Sequence, residues 1–404
     1  MTLKILFKKI YFFLIYILVI IPILLVLLFL RVFFRFNIIE LETRAIGHFS
    51  LSVEIFLCEI LKKKVDDKKF YIWFPNRKIS NNFLYKKWSE LIFIGPRIIF
   101  EKIFYLSNKF NFLGKLFLSE YRHWAKYDNW QTVDIHNILE NSKPRILFSS
   151  SEEQSGQKFL ETINFKKNKY ICFFSRTSDY RSVMSNSPGN EPPSIRNSSI
   201  YTQLKGIENI CKKDFAAIRM SKYDLNNPLN SKNPRIYDYA YSDHKSDFLD
   251  IYLLFNCSYM ISTMSGIDLV PKINRKKVLL INYVDIPALY QLNYTPILLP
   301  KKIIDMNSKK FLSYKEVFKK NLMHAHITKE YLNNLGYDYV DNSEIEIFNA
   351  INEMHEHIIK KKPLKNCDLN NKFWTLYEDH YNKPRPKNTF ISEDFLIKNT
   401  DLFN

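Results

Sequence analysis

Two short stretches of this chain carry residues suited to gripping a phosphate. In YICFFSR, residues 170–176, an apolar run turns polar, and Ser175, Arg176, Thr177, Ser178 and Asp179 are followed by Tyr180 and Arg181. A guanidinium leaving the carboxyl end of a buried strand can hold a phosphate in a two-point fork that lysine cannot reproduce. The ordinary alternative is an Arg176–Asp179 pair on the surface. In ISTMSGIDLVP, a strand ends at Thr263 and a helix starts at Ser265 or Gly266. Ser and Gly let the chain turn tightly there and present backbone N–H groups to an anion. A plain strand-to-helix turn uses the same residues, so the two stretches weigh more together than singly.

Other candidates are of different chemistry. Ile46-Gly47-His48-Phe49, with Glu54 beyond, offers an imidazole suited to taking a proton from a hydroxyl, Glu54 being the second choice, against the reading of a surface loop. Asp247 and Asp250 share a helix face; Asp247 reads as a helix cap, while Asp250 is left between a ligand hydroxyl and the ordering of the Thr263–Gly266 turn. The nine histidines form no HExxH, and the pairs His324/His326 and His355/His357 have no further ligands in sequence, so no metal is called for. There is no GxSxG elbow, Walker motif, zinc-finger spacing or dinucleotide fingerprint.

These residues need elements to hold them. Strands are expected at 71–75, 91–95, 170–176, 214–220, 259–263 and 277–283, and helices at 199–210 and 247–258. Strands alternating with helices imply a parallel sheet covered on both faces, which binds ligands beyond the carboxyl ends of its strands. The Pro-, Ser- and Asn-rich loop 191–199 is long for such a connection, and the span 181–199 is expected to fold over a ligand.

The 21 residues from Ile10 to Leu30 are apolar apart from tyrosine hydroxyls, flanked by Lys8, Lys9, Arg31 and Arg35. That is the length of a bilayer-spanning helix, and RVFFRFNII follows in place of a small-residue cleavage site. A single uncleaved N-terminal membrane anchor is expected, against a signal peptide or a hairpin or interfacial helix; flanking charge does not decide its orientation. Five cysteines without a CxxC pair read as reduced thiols and favour a cytoplasmic catalytic part. The formal charge of +18 comes from lysines scattered along the chain, which points to no nucleic acid but suits anionic lipid and phosphate-bearing substrates. The expected division is 1–35 anchor, 36–145 first domain, 146–355 second domain, and 356–404 C-terminal helix and tail.

The ordered set GHFSLSVE, FFSRTSDY, RNSSIYTQL, AAIRM, DFLDIYLLFNCSYMISTMSG and the strand before Asn282 resembles a family of bacterial surface-polysaccharide glycosyltransferases, and more distantly GT-B enzymes. The likeness covers roughly 41–355. It implies an α/β, GT-B-like fold of two Rossmann-like domains facing across a cleft, the second holding a nucleotide-sugar donor as substrate, with no cofactor or bound metal. Arg176 and the Ser265-Gly266 turn would meet the diphosphate. Arg196, Asn197 and Ser198 would border the donor pocket, with Ser175, Asp250 and Thr263 beside it. Arg196, Asn197 and Ile200 match the family's Arg-Asn-x-x-Ile-x-x-Tyr segment, whereas Tyr201 follows Ile200 directly. A lipid-linked or polysaccharide acceptor at the membrane would explain the anchor. The rival readings are a non-catalytic, membrane-anchored assembly or scaffold protein of envelope polysaccharide synthesis, and a phosphate-binding hydrolase or epimerase.

Overall fold

The computed structural model describes residues 14–64, 68–76, 78–118, 134, 137–177, 194–221 and 228–403. It divides into two compact units, Met1–Ile146 and Leu147–Asn404.

In the first unit a π-helical turn, Tyr16–Ile20, runs into α1, Ile21–Leu30. Pro22 accounts for the widened turn, because its ring lacks an N–H and crowds the carbonyl four residues back. Among the described residues no helix is long and apolar enough to cross a membrane; residues 10–13 of the apolar run, with Lys8 and Lys9, lie outside them. Three parallel strands follow in the order β1 (Phe36–Leu41), β2 (Phe70–Pro75) and β3 (Phe93–Ile94). Their connections are α2 (Ile46–Leu61) and α3 (Asn82–Ser89). Beyond β3 come α4 (Arg97–Lys109) and α5 (Asn111–Phe117).

Strand alternation sorts the side chains to two faces. On one face Phe36, Ile38, Ile72 and Phe74 pack with Ile20, Phe100, Ile103 and Phe117, so α1, α4 and α5 share a core. On the other, Phe56 meets Tyr71 and Trp73 edge-on, and the Trp88 indole N–H donates to the Phe49 carbonyl at 3.0 Å. The strand expected at 91–95 shrinks to two residues, and β1 was not foreseen, since Glu40 and the flanking Arg35 break its apolar run.

The second unit begins with α6 (Ser150–Thr162), entered through a capping box in which Ser149 and Glu152 satisfy each other's backbone. Then come β4 (Tyr170–Phe173), α7 (Leu204–Cys211), β5 (Ala216–Arg219), β6 (Ile236–Asp238), α8 (Asp247–Asn256), β7 (Tyr259–Ser262), α9 (Leu269–Ile273), β8 (Lys277–Tyr283) and β9 (Ile297–Pro300). The chain continues through β10 (Lys302–Asp305), α10 (Tyr314–Lys319), α11 (Lys329–Asn334), β11 (Tyr337–Val340), α12 (Glu344–Ile359), α13 (Asp368–Tyr381), β12 (Phe390–Ile391) and α14 (Glu393–Lys398). Seven strands pair in the order β12-β9-β8-β7-β4-β5-β6, every pair parallel, while β10 and β11 form an antiparallel ribbon. The central strands β4, β5 and β7 are buried along their whole length, as expected of a sheet covered on both sides. Residues 356–404, expected as a helix and tail of their own, instead contribute α13, α14 and the edge strand β12 to this unit. Phe373, Trp374 and Tyr377 of α13 bury the apolar surface that the Asn-rich composition of this stretch conceals.

Candidate binding site at the carboxyl edge of the second sheet

Strand order reverses between β4 and β7: the chain builds outward from β4 through β5 to β6, then returns to place β7 on the other side of β4. Ligands of open parallel sheets bind beyond the strand ends at this reversal, where the two loops diverge and leave a crevice. Here the two strand ends are locked together. Phe174 N–H donates to the Ile261 carbonyl at 3.0 Å, and Arg176 N–H donates to Thr263 Oγ1 at 2.8 Å. Ser175 is buried, and its hydroxyl accepts from Gln203 Nε2 at 2.8 Å while the same amide donates to the Phe174 carbonyl at 3.0 Å. Ser175, Thr263 and Gln203 thus fix the backbone from which the half-buried Arg176 projects.

The loop that runs from Ser194 closes on this edge. Ser198 N–H donates to the Arg176 carbonyl at 3.2 Å, Asn282 Nδ2 to Ser198 Oγ at 2.9 Å, and Lys301 Nζ to the Asn197 carbonyl at 3.3 Å. Asn282 and Lys301 stand at the ends of β8 and β9, so four adjacent strands converge on Arg176, Asn197 and Ser198. Asn282 has a left-handed φ of +52° and exchanges hydrogen bonds with Asn342 at 2.7 and 2.6 Å, which holds the turn. Burial raises the Asp285 carboxyl, against the smaller opposing pull of His324, the Ala325 N–H, His326 and Arg196. Burial lowers Lys301, which is paired with Asp341 at 2.5 Å. Asn282 and Lys301 were not singled out from sequence: Asn282 lies within β8, and the partners of both are 60 to 104 residues away.

The second stretch expected to meet a phosphate is bonded largely to itself. Met264 takes φ +50°, in the left-handed region that non-glycine residues other than asparagine and aspartate seldom adopt. Ser265 N–H is taken by Asp268 Oδ2 at 2.6 Å, and the Ser262 hydroxyl donates to the same carboxylate. The turn Gly266–Asp268 is 3₁₀, and α9 after it has five residues. The helix expected to start at Ser265 or Gly266 is thus a short 3₁₀ turn leading into α9, with the Ser265 N–H held by an internal carboxylate. Asp268 is buried, which raises its carboxyl to about 6 against the opposing pull of Ser262, Ser265, Lys272 and Arg176. Burial lowers the Lys272 ammonium to about 8, with Asp268 opposing.

Asp250 stands apart from this edge cluster: its Oδ1 accepts from the Tyr239 hydroxyl at 3.0 Å, beside the end strand β6. The cap of α8 is Ser246, whose Oγ accepts from Leu249 N–H, in place of the Asp247 expected. Ser178, Asp179, Tyr180 and Arg181, and 181–193 of the expected covering loop, lie outside the described residues.

In the first unit, His48 sits in the first turn of α2, just past the carboxyl end of β1. Burial pushes its imidazole below the ordinary value, partly offset by the Glu42 carboxylate. Glu42, missed from sequence, is buried and anchors the loop: Oε1 accepts from Arg44 and Ala45 N–H at 2.9 and 3.3 Å, and Oε2 from Asn76 Nδ2 at 3.0 Å. Glu54 is fully buried and its carboxylate accepts from Arg145 N–H at 3.1 and 3.3 Å, so it ties two parts of the unit together and has no opening through which to reach a substrate proton.

No family model matches the chain, and no curated protein matches it. Among solved structures it is similar to the glycosyl transferase family 9 protein from Veillonella parvula DSM 2008, at 11% identity and TM-score 0.43, over 81% of this chain and 98% of that one. It is also similar to E. coli ADP-heptose lps heptosyltransferase II, at 9% identity and TM-score 0.36, over 60% and 84%. E. coli heptosyltransferase WaaC with ADP-2-deoxy-2-fluoro heptose follows at 7% identity and TM-score 0.30, over 60% and 88%. With TM-scores under 0.5 these are loose overlaps, and the functional reading stands on the residues of this chain.

Proposed function

We propose that the protein is a glycosyltransferase that moves a sugar from a nucleotide-sugar donor to a membrane-associated or surface-polysaccharide acceptor. The observation that carries this is Arg176, delivered to the strand-order reversal by a backbone pinned to Thr263, with Arg196 and Lys301 at the same sheet edge. A nucleoside diphosphate there would have its charge met by Arg176 and Arg196, while Lys301, paired with Asp341, holds the loop at Asn197.

In the reaction the bond between the anomeric carbon and the diphosphate oxygen breaks, and its electron pair goes to the departing nucleoside diphosphate. Arg176 and Arg196 stabilise that charge as it develops. The acceptor oxygen forms the new bond and gives up its proton to His48, the base we assign, whose lowered pKa leaves the imidazole neutral and free to take a proton near pH 7. The work is placed at the cytoplasmic face of a bacterial inner membrane, a reading supported by the apolar N-terminal run and by five free cysteines, four of them buried. Incubating the purified protein with single nucleotide sugars and a membrane extract tests the proposal. Release of one nucleoside diphosphate, abolished by Arg176→Ala, supports it; no release from any donor leaves the scaffold reading in its place.

A further inference from the structure

Ile20 is the midpoint of the apolar run from Ile10 to Leu30, and it is fully buried in the core of the first unit against Phe36, Phe100, Ile103 and Phe117. An upright membrane helix would put this midpoint about 15 Å below the bilayer surface, half of a ~30 Å hydrocarbon layer. Everything packed on Ile20 would go with it, drawing α4 with its charged Arg97, Glu101 and Lys102 into a layer where charges are costly. The helix and the unit's core cannot both keep their contacts in that arrangement. A helix lying along the surface keeps them.

What remains exposed agrees with this. α1 is apolar all round; one side meets the unit, and Leu25 and Phe29 on the other are 60% and 65% exposed, followed by Phe33 at 65%. The neighbouring helices on the same sheet face expose Ile98 of α4 at 58%, Tyr105 at 59% and Phe112 of α5 at 67%. Soluble surfaces rarely gather so many large apolar side chains on adjoining elements. The charge around them is one-sided: α4 and α5 carry Arg97, Lys102, Lys109 and Lys115 against Glu101 alone, and Arg35 follows α1. Apolar residues rimmed by cations are the complement of an anionic lipid leaflet.

We propose that the first unit is embedded in one leaflet of an anionic bilayer, with α1 lying in the interface and the exposed faces of α4 and α5 inserted beside it, and that the apolar run is not a free spanning anchor. This does not depend on the glycosyltransferase reading.

The test uses the full chain with Cys367→Ser, which removes the half-buried thiol, and a nitroxide at Ile98→Cys, Phe112→Cys or, as reference on the opposite face of the sheet, Lys86→Cys. In vesicles of phosphatidylcholine with phosphatidylglycerol, the labels at 98 and 112 are expected to relax several-fold faster with oxygen than with a water-soluble nickel chelate, and the label at 86 the reverse. Replacing the phosphatidylglycerol is expected to make the first two shallower. Labels at 98 and 112 as nickel-accessible as the reference would overturn the proposal. So would labels shielded from both reagents in detergent and vesicles alike, which would mean that a second copy covers the face; a depth indifferent to lipid charge would overturn the anionic preference.

Discussion

The backbone N–H of Arg176 donates to the side-chain hydroxyl of Thr263 at 2.8 Å, joining the ends of β4 and β7 where the strand order reverses. One side chain thereby sets where the first arginine beyond the sheet leaves the backbone, and valine, of the same shape, cannot replace it. Thr263→Val leaves a part-buried N–H without its acceptor, a loss of about 1–3 kcal/mol. Calorimetry should show a lowered Tm together with weaker nucleoside diphosphate binding, while Thr263→Ser should restore both. A Thr263→Val protein that binds as tightly as the parent would show that Arg176 is held in place by other contacts.

His48 carries the pH dependence assigned to the base. Since burial lowers its pKa, the neutral form persists below pH 6.5, and the acid limb of the activity profile should fall at a midpoint under that value. Glu42 raises the pKa, so Glu42→Gln should shift the limb further to acid. His48→Gln should lower turnover by roughly 10²–10⁴-fold with the donor's binding unchanged. Steady-state rates across pH check all three, and an unchanged limb in Glu42→Gln would break the link between the two residues.

Glu353 on α12 offers a stability test remote from the donor edge. Burial, aided by Glu393 and Asp394, raises its carboxyl to about 7, although Ser392 and the Glu393 N–H hydrogen-bond to it. A folded-state pKa above the unfolded one means that the folded chain binds the proton more tightly, so this contribution is present at acid pH and lost as pH rises through about 7. Between about pH 5 and pH 8 the parent should therefore lose more Tm than Glu353→Gln does. Parallel slopes for the two proteins would remove Glu353 as the cause.

Gly156 on α6 tests the packing under the sheet. A Cβ there would lie 2.2 Å from Cζ of the buried Tyr252 ring on α8, whose hydroxyl donates to Glu153 Oε1 at 3.1 Å. Gly156→Ala should cost about 1–3 kcal/mol by overpacking, seen as a lower denaturant midpoint, despite alanine's better helix propensity. A stabilised variant would mean that Tyr252 yields freely.

The second sheet was largely legible in the sequence because its inner strands are short, mostly apolar runs with polar residues at their ends, as at 170–176, 259–263 and 277–283. Its outer strands were not: β6 is three residues long and half-buried, and β12 has two residues that become a strand only by pairing with β9. In the site, Arg176 and the loop Asn197-Ser198 could be read from residue type and position after a strand. Asn282, Lys301 and Asp268 could not, because their significance arises from contacts 60 to 104 residues away or from burial. Glu54 shows the reverse failure: a carboxylate near a histidine in sequence is spent on a backbone N–H 91 residues on.

The central claim is that the carboxyl edge at β4 and β7 holds a nucleoside diphosphate through Arg176. The most direct measurement is the thermal shift of the purified protein with a panel of nucleoside diphosphates and nucleotide sugars, run beside Arg176→Ala and Arg176→Lys. The account predicts that one nucleotide stabilises the parent, that alanine abolishes the shift, and that lysine restores it only in part because the two-point grip is lost. A shift of equal size in Arg176→Ala, or none with any nucleotide, would contradict it.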